Sequence, residues 1–300
     1  MSKPALTHAW PNLDPKDRRR FVTQAERAAA VPAWIVGAFA DLLPEPDPRA
    51  GLDAQLLHGE IVSLLETRDG WARVQAARNG YVGWVAAGSI AAGNRLPTHR
   101  VAVPRSFLYG EADMKKPRTG CLSLGSELVV TGETETRGTR YALIDSGEAV
   151  IAGHLAPVEQ SAEDYVAVAE TLLRTPYLWG GDTAFGLDCA GLVSLSMKMA
   201  GMDVLRDSDL QAATIGGIVD PGDDWSDIRR GDLVFWPGHV AIVQGEIDGA
   251  VHILHANGHT MDVASEPLEG AIARIAHLYQ QPIGVRRPDA AQTRLGHGNQ

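Results

Sequence analysis

Residues 177–193 read Tyr-Leu-Trp-Gly-Gly-Asp-Thr-Ala-Phe-Gly-Leu-Asp-Cys-Ala-Gly-Leu-Val, and the pattern changes inside this stretch. The first part is crowded with glycine and has no period. At Cys189 a helical period begins, with Leu192, Val193, Met197 and Ala200 on one face and Gly201 as the C-terminal cap. A cysteine at a helix N-terminus meets unpaired backbone N–H groups and the positive end of the helix dipole, which favour thiolate. The same N–H groups can stabilise an oxyanion. The competing reading is a small apolar side chain packed at a helix start, the commoner fate of a buried cysteine. The glycine-rich approach and the adjacent Asp188 are unusual for that second reading.

On the N-terminal side, Ser161-Ala-Glu-Asp164 has the form of a capping box, and Tyr165, Val168, Ala169, Leu172 and Leu173 then recur as the stripe of an amphipathic helix that Pro176 stops. On the C-terminal side the period becomes that of strands: 232–236, 240–244, 251–255 and 283–286. Helices followed by strands predict an α+β domain with an antiparallel sheet.

A thiolate nucleophile needs a base, and the base needs an orienting group. Of ten histidines, two have a fitting context. His239 opens the strand His-Val-Ala-Ile-Val, from which it can project toward a helix terminus. His255 ends Val-His-Ile-Leu-His-Ala, whose alternation places Val251, Ile253 and His255 on one face and His252 on the other. Each taken alone also reads as a histidine with satisfied nitrogens. His252, His255 and His259 are close enough in sequence to suggest a metal, but side chains along one strand diverge and no second thiolate lies nearby, so no metal is expected.

Further upstream, runs at 61–65, 71–74 and 81–85, separated by Arg68-Asp-Gly70 and Arg78-Asn-Gly80, predict a small β-barrel. A less regular set follows at 107–109, 128–131, 141–144 and 150–151. The expected organisation is an N-terminal arm over 1–30, a barrel over 31–96, a second, divergent one over 97–158, the α+β domain over 159–288 and a disordered tail over 289–300.

Composition narrows the classes of function. With 27 basic and 37 acidic residues the net charge is −10, which argues against nucleic acid as a partner. Arg18 to Arg20 read as a solvated segment. No apolar run approaches the length of a membrane span. Lys3 is not followed by an apolar segment, so no secretory signal is expected and the default compartment is the cytoplasm. Cys121 and Cys189 are then read as free thiols.

YLWGG…GLDCAGLV, GDLVFW…GHVAIV and ILHA together resemble the three blocks of the NlpC/P60 cysteine peptidases. The resemblance covers about residues 160–287. It implies a papain-like α+β core and cleavage of peptidoglycan stem peptides, with Cys189 as nucleophile, His239 as base and His255 as the polar third member. Ala190 stands where the family usually has Ser; the substitution removes a hydroxyl and leaves the nucleophile. The gap from His239 to His255 is longer than usual, as a hairpin insertion near Glu246–Gly249 would make it.

LLHGEIVSLL…GWARVQ…GYVGWV resembles a bacterial SH3 domain. Two such domains before an NlpC/P60 domain are similar to the γ-D-glutamyl-L-diamino acid endopeptidases of murein recycling, which act on released peptides with a free N-terminal L-Ala. In that subgroup an SH3 domain caps the cleft, and an acidic residue and a tyrosine meet the substrate amine. The matching positions are Glu60 and Tyr81, which otherwise read as a solvated turn carboxylate and a barrel-packing aromatic. Arg206-Asp-Ser208 resembles a further block, in which Asp207 and Ser208 either meet the substrate ammonium or cap a helix. Tyr177 is placed as an oxyanion donor, Trp179 as a subsite wall and Asp188 beside the nucleophile; core packing is the alternative for Tyr177 and Trp179. The expected partners are murein stem peptides, with no cofactor. The rival functions are an exported autolysin acting on intact wall and a decayed peptide-binding module.

Overall fold

The computed structural model of the chain describes residues 14, 16–222, 224–278 and 280–289. The expected tail beyond Asp289 and the first part of the expected arm lie outside these residues. The chain divides into two compact units: one runs to residue 161 and takes back residues 179–185, and the other holds residues 162–178 and those from 186 onward.

The first unit is built of strands. Ile61–Arg68, Trp71–Ala76 and Val82–Ala86 pair in succession, and Val31–Ile35 and Ile90–Ala92 complete a five-stranded antiparallel sheet. Arg68 pairs with Trp71 across Asp69 and Gly70, both at positive φ. This two-residue turn matches the strand twist and requires left-handed residues, as an Asp-Gly pair allows. Ile35, Leu42, Val62, Val74, Tyr81 and Val85 share the core of this sheet. The basic run before it is not simply solvated. Arg18 pairs with Asp53, Arg19 pairs with Asp17, and the Arg19 carbonyl accepts from the Val82 N–H.

A second five-stranded sheet comprises Arg105–Tyr109, Arg118–Ser123, Val130–Thr136, Thr139–Ile144 and Ala149–Ile151. The expected strand at 128–131 is split: Glu127–Leu128 pairs with His99–Val101, and Val130 begins another strand with a register shift before Gly132. Residues 179–185 are tied to both sets of strands. The Asp182 N–H donates to the Gln55 side chain and the Ala184 N–H to Ser123 Oγ, while Arg105 donates to the Ala184 carbonyl.

The second unit is α+β, with a six-stranded antiparallel sheet. Its order is Gly217–Val219, Gly284–Arg287, Leu233–Trp236, His239–Ile247, Ala250–Asn257 and Asp262–Pro267. A two-residue turn at Asp248-Gly249, both at positive φ, joins Ile247 to Ala250 where the hairpin insertion was expected. The helix Cys189–Met199 is buried along its whole length. The helix Leu268–Leu278 places Leu268, Ala271 and Ile275 on the sheet face formed by Val234, Trp236, Ala241, Val243 and Ile253. Neither this helix nor the strand before it was expected, because Asp262–Pro267 alternates without a run of large apolar residues. The helix Tyr165–Glu170 is shorter than its stripe suggested. Its cap is Asp164, which accepts from the Val166 N–H, and not Ser161: that N-terminal carboxylate satisfies an orphan donor directly.

Candidate active site

The start of the helix Cys189–Met199 is fixed by one carboxylate. Asp188 accepts from the Gly191 N–H at 2.7 Å and from both terminal nitrogens of Arg206 at 3.0 and 2.8 Å. Arg206 is 1% exposed. Asp188 therefore caps the helix and completes a buried ion pair, which occupies the carboxylate that sequence grouped with the substrate-binding residues. Gln211, fully buried on the helix Ser208–Thr214, donates to the carbonyls of Ala190 and Leu205 and ties that helix to the turn that holds Cys189.

Cys189 is buried. The N–H groups of Val240 and Ala190 point at its sulfur, but burial and then the negative charge of Asp188 push the thiol up to about 12. The expectation of a thiolate from the helix dipole alone is thus corrected: desolvation of the charged form outweighs the N–H groups. The resting sulfur is a thiol and needs a base.

His239 follows the turn at Pro237-Gly238 and pairs in register with Trp236, whose ring lies 5.7 Å from its own. Its Nε2 is 2.8 Å from His255 Nδ1, with the rings edge-on at 5.0 Å. His255 is fully buried, and its Nε2 is 2.7 Å from Glu266 Oε1. Arg274 completes the line with an ion pair to the same oxygen. Burial, then the charges of His255 and Arg274, lower His239 to about 3. Burial acts to raise Glu266, but the bond from His255 and the pair with Arg274 outweigh it and hold the carboxyl below 4.5. The ground state is therefore a neutral thiol and a neutral His239, with an ionised carboxylate at the far end of the line.

His252 lies on the other face of its strand, where Nδ1 meets Ser265 Oγ at 3.2 Å. Tyr177 is half-buried; its N–H donates to the Met261 carbonyl, and it bridges to Leu187, two residues before Cys189. Asp207 precedes the helix Ser208–Thr214 and its carbonyl accepts from Gln211, but its side chain does not cap that helix.

The other nominated residues belong to the strand unit. Glu60 is 5% exposed, not a solvated turn residue; it accepts from the Leu57 N–H and from Arg78, whose second nitrogen reaches Asp182. Tyr81 packs in the core of the first sheet, and Trp179 is 71% exposed. Sequence reasoning missed Glu266, Arg274 and Gln211. Extending the strand alternation past His255 to a partner strand would have placed Glu266 on the same face.

Residues 42–90 match the bacterial dipeptidyl-peptidase Sh3 domain, and residues 174–281 match the NlpC/P60 family. A γ-D-glutamyl-L-lysine dipeptidyl-peptidase of Bacillus subtilis is 30% identical over 229 residues, 69% of this chain and 71% of that protein. Dipeptidyl-peptidase 6 of Lysinibacillus sphaericus is 26% identical over 234 residues, 71% of this chain and 84% of the relative. The fold is shared with an NlpC/P60 family protein from Bacillus cereus whose crystal structure superposes with a TM-score of 0.69 at 21% identity, covering 86% of this chain and 99% of the other.

Proposed function

The chain belongs to the NlpC/P60 family and is a peptidase, and from that premise we propose that it cleaves the γ-D-glutamyl-diamino acid bond of free murein peptides that begin with L-Ala. The reaction belongs to cell-wall peptide recycling in the cytoplasm. The observation that carries this reading is the His239–His255 hydrogen bond on the strand whose Val240 N–H points at the Cys189 sulfur, on a chain related along two thirds of its length to an enzyme named for γ-D-glutamyl-L-lysine peptides.

In the proposed reaction His239 takes the Cys189 proton as the sulfur attacks the γ-carbonyl. The oxyanion meets backbone N–H groups at the helix start and the Tyr177 hydroxyl. Collapse expels the diamino acid amine, which takes its proton from His239. Water then attacks the γ-glutamyl thioester, with His239 again the base, and frees L-Ala-D-Glu and the thiol.

Within the α+β unit the free amine of L-Ala is assigned to Asp207, with Ser208 beside the peptide; within the strand unit Glu60, Tyr81 and Trp179 are carried over from the resemblance as further substrate contacts. Glu60 is a buried carboxylate already ion-paired with Arg78, so an incoming ammonium would add to that pair. Acetylation removes the charge and the donors of the amine, and losing a hydrogen bond to a charged group costs about 1.5–3 kcal/mol, roughly 10- to 150-fold in kcat/KM. L-Ala-γ-D-Glu-meso-diaminopimelate, its N-acetyl form and intact sacculi are incubated in parallel and the products identified by mass spectrometry. The free peptide should be cut, the acetylated one cut poorly and the sacculi spared. Equal cutting of the acetylated peptide would refute the amine requirement and favour an enzyme of intact wall.

A further inference from the structure

Two histidines in series have two proton arrangements, and only one of them leaves a base for the thiol. His239 Nε2 is committed to His255 Nδ1 at 2.8 Å, so the ring nitrogen left to take the Cys189 proton is Nδ1. For Nδ1 to be a lone pair in a neutral ring, the proton must sit on Nε2 and point at His255. His255 must then accept on Nδ1 and carry its own proton on Nε2. In the opposite arrangement His255 donates from Nδ1, His239 carries its proton on Nδ1, and no base faces the sulfur.

The strand register supplies the group that chooses. Ala264 pairs with His255 and Glu266 with Ile253, so Glu266 stands on the His255 face one diagonal step away. Its Oε1 is 2.7 Å from His255 Nε2. Arg274, from the helix Leu268–Leu278, pairs with the same carboxylate and favours its ionised form. An ionised carboxylate can only accept, so the proton between the two lies on His255 Nε2.

We infer that Glu266 is a positioning residue of the peptidase: it fixes the tautomer of His255, and through it that of His239, so that Nδ1 of His239 is free to take the thiol proton. When that proton is transferred, the new positive charge on His239 is linked through His255 to the Glu266 carboxylate. Glu266 thus supports both the starting arrangement and the charge that develops. Arg274 has opposed effects, keeping the carboxylate ionised while disfavouring a charged His239, so a change there is not a clean test. This inference rests on Cys189, His239 and His255 being the reacting groups.

The test uses the full chain with Glu266→Leu and Glu266→Gln. Leucine removes charge and acceptor together; glutamine keeps an acceptor oxygen. Glu266→Leu is expected to lower kcat about 100-fold with KM changed no more than about threefold, and Glu266→Gln to recover part of the loss. Alkylation of Cys189 by iodoacetamide at neutral pH should slow in Glu266→Leu as well, with no substrate present. Nitrogen-15 NMR of labelled histidine should show His255 protonated on Nε2 in the natural protein and a mixture of tautomers in Glu266→Leu.

Unchanged kcat, alkylation and tautomer in Glu266→Leu would overturn the inference. So would a variant that only melts earlier while alkylation and tautomer stay as they were, since that is a structural brace. If the natural protein cuts no murein peptide yet its alkylation depends on His239 and on Glu266, the substrate assignment fails and the inference stands. If alkylation is indifferent to His239→Ala, both fall.

Discussion

Two arginine–carboxylate pairs lie along the candidate site, one next to Cys189 and one next to His255, and they differ in their access to water. Asp188 and Arg206, at the nucleophile's helix, have side chains 14% and 1% exposed. Glu266 and Arg274, at the last strand of the sheet, are 25% and 22% exposed. The first pair is committed to architecture: its carboxylate caps the helix and pairs with a guanidinium that has left water. The second spends one carboxylate oxygen on His255, which is hydrogen-bonded to His239. Removing a partner from the dry pair strands a buried charge, whereas at the wetter pair solvent can take over part of the loss.

The largest expected effect is therefore on stability at the nucleophile's end. Arg206→Met removes the buried guanidinium that Asp188 is paired with, and it should cost about 3–5 kcal/mol. Urea unfolding of the variant and the natural protein reads this as a lower midpoint. A cost below about 1 kcal/mol would erase the contrast between the two pairs and mean that water reaches Arg206.

A smaller effect, on rate rather than stability, is expected at the histidines between the pairs. His255→Ala should lower kcat about 100- to 1000-fold with little change in KM, because in the proposed reaction it acts on the base and not on the peptide. His252→Ala, on the opposite face against Ser265, should change kcat by no more than about twofold. Steady-state kinetics with the free peptide compares the two. Similar losses in both variants would mean that the strand faces do not separate the roles.

The same contrast explains what was legible in the sequence. Cys189 announced itself by a change of period, His239 by opening an apolar strand and His255 by alternation, because each sits where a regular pattern begins or ends. The Asp-Gly turns at 69–70 and 248–249 were readable for their backbone chemistry, although the second was inferred only as an insertion near Glu246. Asp188 was noticed beside the cysteine, but its engagement with Arg206 depends on a chain crossing that no local pattern encodes. Glu266 was missed because the strand Asp262–Pro267 has little apolar character and its importance comes from a diagonal neighbour on another strand. The state of the thiol was misread for a related reason: the helix dipole is a local property, and burial is a property of the finished fold.

The smallest expected effect separates those two influences by pH. An ordinary histidine, with a pKa of about 6.5, would be neutral in only about 3% of molecules at pH 5. His239 is lowered to about 3 by burial and by the neighbouring His255 and Arg274, so it remains a base at pH 5. The carboxyl of Glu266 is also held below 4.5. kcat/KM at pH 5 should therefore stay within about threefold of its value at pH 7, an order of magnitude above what an unshifted base would allow. Stability moves the other way. Because the folded pKa is the lower one, between about pH 3 and 6.5 the unfolded chain binds a proton that the native His239 refuses. The contribution of the neutral ring is thus present above 6.5 and lost as pH falls toward 3. Initial rates on the free peptide between pH 4.5 and 7.5, with thermal unfolding at the same values, measure both. An acid limb centred near 6.5 would show that water reaches His239 freely, and the dry end of the line would then be no drier than the end at Glu266.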